Sequence, residues 1–257
     1  MTDAPRETDE HDSADYYDVW AQFYDAEHRE LREDIEFYVD LATEADGPVL
    51  EIGCGTGRIY LELLQAGVDA DGIDLSAGMV GRLREKARDE NLDPSVRQAD
   101  VTAFDPDREY ALVIVPFRGF LHLTTLADQR AALERIRDSL APGGRLAFNV
   151  FAPDFGVICD YGEEQETTFE HDGEEFRMVS ETTFVDEVEC VTREHRTLYD
   201  GDGEMVAEQS FELHVAFKRE LDLLLEVTGF SDWQVFGGFD RDELESTDQE
   251  MVWVVDR

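Results

Sequence analysis

The chain has 257 residues, of which 42% are hydrophobic and 11% aromatic, enough for a sizeable buried core and too much for a disordered acidic tail. It carries 62 Asp and Glu against 22 Lys and Arg, a formal charge of −40, and Lys86 and Lys218 are its only lysines. A surface of that sign repels phosphate backbones, which argues against nucleic acid and anionic membranes as general partners.

No stretch approaches the roughly 18 apolar residues of a membrane-spanning helix. Residues Met1 to Asp15 are polar and acidic, with neither a basic n-region nor an apolar h-region, and read as a disordered leader rather than a signal peptide. Cys54, Cys159 and Cys190 are odd in number and scattered, without a CxxC pair or a zinc spacing. Free thiols in a cytoplasmic protein, with no metal, are the expectation.

From Tyr16 to Ala45, Trp20, Phe23, Tyr24, Leu31, Ile35, Tyr38, Val39 and Leu41 recur at roughly helical spacing, which predicts one long or two short amphipathic helices. From Pro48 onward strands alternate with helices. The predicted strands are Val49 to Ile52, Val68 to Leu75, Val96 to Ala99, Ala111 to Val115 and Arg145 to Phe151. Helices are expected over Arg58 to Gln65, from the N-cap Ser76 to about Glu90, and over Leu126 to Leu140, the last stopped by Pro142, Gly143 and Gly144. Such alternation predicts an α/β fold with a doubly wound, mostly parallel sheet. After Pro153 the pattern becomes antiparallel, with strands over Thr167 to Phe169, Phe176 to Phe184, Val188 to Tyr199 and Met205 to Phe217, and turns at Asp172-Gly173 and Asp200 to Gly203. A helix from Arg219 to Thr228, closed by Gly229, and strands Trp233 to Phe236 and Met251 to Val255 return to the core. The expected organisation is a leader over 1–15, lid helices over 16–46, an α/β core over 47–160, an antiparallel insertion over 161–217 and the end of the core over 218–257.

The sharpest motif is Val49-Leu50-Glu51-Ile52-Gly53-Cys54-Gly55-Thr56-Gly57, a buried strand running into three glycines and then a helix. Glycines there let the backbone turn sharply and approach a ligand closely. Asp74 closes the second strand, 21 positions after Gly53, where a carboxylate can accept from both hydroxyls of a ribose. Asp100 closes the third, placed to accept from an adenine amino group. With Glu51, acids thus stand at the C-terminal ends of three successive strands, the edge at which open α/β sheets bind ligands. A nicotinamide or flavin dinucleotide shares this grammar, but its fingerprint wants a sixth-position glycine where this chain has Arg58.

The runs Glu51 to Arg58, Gly72-Ile73-Asp74-Leu75-Ser76, Ala99-Asp100-Val101 and Leu140 to Leu146 together resemble the class I S-adenosylmethionine-dependent methyltransferases. Tyr17-Asp18 and Tyr24-Asp25 resemble the lid that precedes the core in their small-molecule branch. The resemblance implies a seven-stranded Rossmann-like sheet whose last strand is antiparallel, with S-adenosylmethionine as cofactor. It assigns the loop of Gly53, Cys54, Gly55 and Gly57 to the methionine moiety, with Glu51 supporting the loop and the cofactor's amino group. It assigns Asp74 and Leu75 to the ribose, Asp100 and Val101 to the adenine, and Val115, Tyr17 and Tyr24 to closing the cofactor site. Methyl transfer is an in-line displacement dominated by orientation, worth roughly 7–11 kcal/mol, and demands no particular catalytic side chain. His122 is a candidate base, Arg118 a candidate partner for an acidic group, Tyr24 a third candidate, and Phe117 and Phe120 are expected to wall the pocket. The implied acceptor is a small-molecule amine or hydroxyl, since Val115-Pro116 departs from the Asn- or Asp-Pro-Pro pattern of enzymes that modify planar nitrogens. A methyltransferase acting on tRNA or protein, and a non-catalytic S-adenosylmethionine-binding regulator, are the alternatives. The insertion is read as an acceptor cover or as a homodimer surface.

The charge is uneven. Residues 51–150 hold 16 acids and 12 bases, a net of −4, whereas the other 157 residues carry −36. Acid excess with scarce lysine resembles the cytoplasmic proteins of salt-in halophiles, in which molar salt shortens the Debye length to about 3 Å and screens self-repulsion. The alternative is a cationic partner met by the flanks. Salt adaptation predicts that dialysis from molar salt into dilute buffer abolishes the folded circular dichroism signal, whereas retention of fold and activity there points to the cationic partner.

Overall fold

The computed structural model describes residues 17–18, 20–29 and 32–257. The acidic leader, Tyr16 and Leu31 lie outside the described residues. In chain order the elements are α1 (Tyr24–Glu27), α2 (Glu33–Glu44), β1 (Val49–Ile52), α3 (Tyr60–Gln65), β2 (Ala70–Asp74), α4 (Ala77–Asp89), β3 (Ser95–Gln98) and β4 (Tyr110–Val115). A 3-10 turn (Gly119–His122) leads to α5 (Leu126–Ser139), β5 (Leu140–Phe151) and α6 (Phe155–Cys159). The strands β6 (Glu164–His171), β7 (Glu174–Asp186), β8 (Val191–Tyr199) and β9 (Met205–His214) follow, then α7 (Lys218–Thr228), β10 (Asp232–Phe236) and β11 (Glu250–Asp256).

Seven strands form one sheet in the order β10-β11-β5-β4-β1-β2-β3. β5, β4, β1, β2 and β3 pair in parallel, and β11 runs antiparallel to both β5 and β10. Period-two alternation explains why β1 is apolar almost throughout: Leu50 and Ile52 join the core on one face of the sheet and Val49 joins the other. β4 divides likewise, with Val113 and Val115 in the first core and Leu112 and Ile114 in the second. Local chemistry sets the helix ends. Ser76 caps α4 by accepting from the Met79 amide at 3.0 Å, and Gly229, at φ 87°, closes α7.

The predicted boundary at Pro142-Gly143-Gly144 is corrected. α5 stops at Ser139, and β5 begins at Leu140, paired with Tyr110, so the glycines lie inside the strand. Gly143 has φ +79° and the pairing slips between Tyr110 and Leu112, a bulge in which a Cβ on Gly144 would stand 2.9 Å from the carbonyl oxygens of Ala141 and Tyr110. β8 starts at Val191 rather than Val188, because Asp186 Oδ1 accepts from the amides of Val188 and Glu189 and turns the chain there. β9 ends at His214, three residues before Phe217, which is the N-cap residue of α7.

β6 to β9 form a separate antiparallel sheet, with positive φ at both Asp172 and Gly173 giving the tight primed turn that joins β6 to β7. Its apolar face packs on the N-terminal segment: Trp20 and Phe23 cluster with Phe176, Met178, Leu198, Ala207 and Phe211. The described residues of 17–18 and 20–29 therefore lie between the second sheet and the main one.

Gly57 has φ +89°, and an added Cβ would stand 2.9 Å from both Leu61 Cγ and Leu83 Cγ. Gly67 has a similar φ of +78° with open space around it. Gly57→Ala is expected to lose about 1–3 kcal/mol from overpacking in addition to the backbone strain both positions share. Urea unfolding of both variants checks this; equal losses would show that the leucine contact has no weight.

Candidate functional site

β1, β2 and β4 end at the same edge of the sheet, and the segments that follow them surround a cavity of about 190 Å³. Gly53 and Gly55 have φ of +71° and +52°, and an added Cβ on either would meet no protein atom closer than 4.0 Å. The loop is tied to β2 by the amides of Gly53 and Cys54, which both donate to the Ile73 carbonyl at 2.8 and 3.1 Å. Asp74 fixes the opposite rim: its Oδ2 accepts from the Gly55 amide and its Oδ1 from the Ser76 amide, both at 2.8 Å. Burial raises the Asp74 carboxyl above its ordinary value, and the two amides oppose that shift only in part. Asp100 Oδ1 accepts from the Thr102 amide at 2.8 Å and its hydroxyl at 2.7 Å, which turns the chain after β3.

Of the residues singled out in the sequence, Tyr17, Tyr24, Gly53, Gly55, Asp74, Leu75, Asp100, Val101, Phe117 and His122 line this cavity. Six others do not. Cys54 is buried, within contact distance of a Cβ on Gly72, and burial pushes its thiol well above the usual range. Gly57 faces Leu61 and Leu83, Val115 lies in the core, and Phe120 packs on Phe148 at 5.6 Å. Arg118 pairs with Glu250, Nη2 to Oε2 at 2.8 Å, and faces a second cavity. Glu51 sits beneath the loop, 3% exposed, with Oε2 buried and without a hydrogen-bond partner.

The sequence did not single out Ile73, Ser76, Met79, Ala99, Pro116 or Leu123 as wall residues, which they are. Their positions immediately around Asp74, Asp100 and Phe117 were the available signal. Nor did it reveal the acids that dock the N-terminal segment. Asp18 Oδ1 accepts from the Gly78 amide at 2.7 Å and the Ser76 hydroxyl at 2.5 Å, where the N-terminus of α4 favours negative charge. Asp25 accepts from Thr56 at 2.6 Å and Lys86 at 2.9 Å, and Asp34 takes Arg58 through two bonds of 2.6 Å. Tyr17 meets His122 at 3.0 Å, from hydroxyl to Nε2, and Tyr24 stacks on His28 at 4.3 Å. Burial, aided by the charge of Arg196, pushes His122 down to about 4. Burial likewise lowers His28 and raises the Tyr24 phenol, which disfavours charge on both rings.

Residues 49–144 match the family model of the methyltransferase domain. An uncharacterized methyltransferase from Geobacillus sp. (strain WCH70) is 32% identical over 136 residues, 52% of this chain and 62% of the relative. The dTDP-3-amino-3,4,6-trideoxy-alpha-D-glucopyranose N,N-dimethyltransferase of Streptomyces venezuelae is 27% identical over 133 residues, 52% of this chain and 54% of the relative. Among solved structures, the CcbJ methyltransferase from Streptomyces caelestis superposes with a TM-score of 0.80 at 25% identity, covering 95% of this chain and 98% of that one. The chain spans 61–65% of the length of the first curated relatives it matches. Residues 49–144 are thus a methyltransferase domain, and the chain as a whole shares the fold of a solved methyltransferase. Among the described residues no helix is long and apolar enough to cross a membrane.

The site fits the family's cofactor. The space above Gly53 and Gly55 is one that Cβ atoms would begin to fill, and Glu51 Oε2 beneath it is an orphaned buried acceptor. The wall carries two carboxylates, the half-buried Asp74 and the exposed Asp100, among apolar side chains, as a ribose beside a flat purine requires.

Burial holds the Glu51 carboxyl well above the ordinary carboxylate range, with Arg58 opposing that shift and Asp34 and Asp74 adding to it. The folded state therefore binds a proton that the unfolded state releases, and this contribution to stability is lost as pH rises through the folded value. Glu51→Gln should unfold at nearly the wild-type temperature near about pH 5 and above it near about pH 8. Thermal melts in constant salt check the difference; a Glu51→Gln effect independent of pH would show that the carboxyl is not held neutral.

Proposed function

We propose that this protein is an S-adenosylmethionine-dependent methyltransferase whose acceptor is a small-molecule amine. The observation that carries the reading is the joint lining of one cavity by Gly53, Gly55, Asp74 and Asp100. In this assignment Gly53 and Gly55 admit the methionine moiety, with Glu51 below them toward its ammonium. Asp74 holds the ribose hydroxyls with the carboxylate capacity left by its two amide bonds, and Asp100 with the Val101 amide meets the adenine. Tyr17, Tyr24 and Phe117 exclude water from the reacting end. When bound, the cofactor supplies a methyl group on a positively charged sulfur, a leaving group needing no further activation. The chain's part is then to orient the acceptor and exclude water, which is where most of the rate enhancement of such a displacement can reside.

An amine acceptor is supported by the second cavity, of about 580 Å³, whose walls include Asp154, Asp160, Glu163, Glu194, Asp248 and Glu250 with Arg118 as the one guanidinium. It lies between the main sheet and the insertion, with wall residues from β5, α6, β6, β7, β8 and β11. Carboxylates on that scale raise the local concentration of a cationic ligand. They also offer acceptors for the proton an ammonium must lose before its nitrogen can attack. Two relatives are named as N,N-dimethyltransferases of dTDP-linked amino sugars, which supports an amine acceptor. His122, neutral at physiological pH and bonded to Tyr17, is the candidate for positioning or deprotonating the acceptor on the cofactor side.

Titration calorimetry with S-adenosylmethionine in molar salt should show a single site. Asp74→Asn should weaken it by roughly one to two orders of magnitude, since a charge-assisted bond contributes about 1.5–3 kcal/mol. Methyl transfer from labelled cofactor to an amino-sugar panel then separates an enzyme from a binding protein. Absence of heat with the wild type would overturn the reading.

A further inference from the structure

Phe117 and Arg118, the second and third residues after β4, have φ of +52° and +64°, the left-handed region that non-glycine residues seldom occupy. Such a pair persists only where its surroundings hold it. The turn sends the two side chains to different places: Phe117 lines the cofactor cavity and Arg118 lines the acidic one. The backbone between them is thus part of the partition between the two cavities.

What holds the turn is one buried amide. Asn149 interrupts the apolar run of β5 and is 3% exposed. Its Oδ1 accepts from the Phe117 amide at 2.8 Å and from the Tyr38 hydroxyl of α2, also at 2.8 Å. Its Nδ2 donates to Glu250 Oε1 on β11 at 2.7 Å. Glu250 in turn receives Arg118 through Nε at 3.1 Å and Nη2 at 2.8 Å. Asn149 therefore grips the backbone of the turn at Phe117 and, through Glu250, the side chain of the next residue. Tyr38 is fully buried and holds the same oxygen from α2. Only a group with both an acceptor and a donor can serve Phe117 and Glu250 together, and the Asn side-chain amide is such a group.

We propose that Asn149 is a positioning residue that sets the partition between cofactor and acceptor cavities by locking the left-handed Phe117-Arg118 turn. Phe117 meets Tyr24 and His28 edge-on at 6.5 and 5.1 Å and lies under the Arg58 guanidinium at 5.0 Å, so a turn held in place also holds that wall. The inference rests on the methyltransferase reading for what the two cavities contain, but not for the hydrogen bonds.

The test compares Asn149→Ala and Asn149→Asp in the full chain at constant molar salt. One readout is amide hydrogen exchange without ligand, the other calorimetry with S-adenosylmethionine. Asn149→Ala should speed exchange of the Phe117 amide by roughly tenfold or more and weaken cofactor binding by roughly tenfold, with exchange in β1 and β2 unchanged. Asn149→Asp keeps the acceptor for Phe117 and, at a pH low enough for it to share a proton with Glu250, a donor toward Glu250 as well, so under those conditions that amide should stay slow and affinity should remain within roughly threefold of wild type. A folded Asn149→Ala with wild-type protection at Phe117, or with wild-type affinity, overturns the proposal. Where the alanine variant does not fold, the aspartate variant decides: a folded Asn149→Asp with a fast-exchanging Phe117 amide overturns it, and a protected one upholds it. If the wild type itself gives no heat with S-adenosylmethionine, the methyltransferase reading falls while the exchange comparison still decides the role of Asn149.

Discussion

A single partly buried guanidinium ties the parts of this molecule together. Arg58 stands immediately after the glycine loop, reaches Asp34 of α2 through two bonds of 2.6 Å and lies over the Phe117 ring. It thereby joins the N-terminal helices, the cofactor loop and the cavity wall after β4. Its charge also opposes the burial that raises the Glu51 carboxyl. An ion pair this far from water stabilises only when both partners are present and correctly oriented, and losing either leaves a buried charge costing about 3–5 kcal/mol. The position at which a dinucleotide fingerprint would require glycine is thus occupied by the residue that organises the site.

The same logic runs through the N-terminal segment. Asp18, Asp25 and Asp34 each find a cationic or amide partner on the core, at the N-terminus of α4, at Lys86 and at Arg58. Glu27 reaches Arg196 of the second sheet at 2.7 Å and accepts from the Trp20 indole at 2.6 Å. Four acids from the strongly negative flank are therefore structural, and the nearly neutral core provides bases for two of them. Trp20 and Phe23 add an apolar contact to the second sheet, which salt strengthens while it screens the ion pairs. The segment is held by two kinds of force that respond to salt in opposite directions.

Strain is concentrated where the two cavities meet. Among the described residues most left-handed positions are glycines, and Phe117 and Arg118 are the two adjacent non-glycine ones. Their conformation is set by a network reaching from α2 through β5 to β11, three elements distant in sequence. The second sheet closes the acidic cavity with residues from β6, β7 and β8, so that cavity depends on both sheets and the glycine-lined one mainly on the main sheet.

Most of the core was legible in the sequence because its signals are local. Apolar runs of four to six residues, the Ser76 cap and the glycines at 53 and 55 each constrain the chain within a few positions, and the acids at 74 and 100 follow from strand ends. The boundaries at Gly143-Gly144 and Val188 were misread because a bulge and a side-chain turn use the same residues as a loop. Long-range packing decided the rest. It turned Gly57 and Cys54 away from the cavity, sent Phe120 into the core and Arg118 to Glu250, and left Glu51 an unpartnered buried acid. Asn149 marked itself only as a polar interruption of an apolar strand, since its partners lie 32, 101 and 111 positions away. The sequence by itself determined the sheet, the glycine loop and the methyltransferase domain, all written in short-range patterns. Tertiary structure alone decided which charges are paired and which residues face each cavity, because burial and hydrogen-bond partnership are properties of surfaces that meet only when the chain is folded.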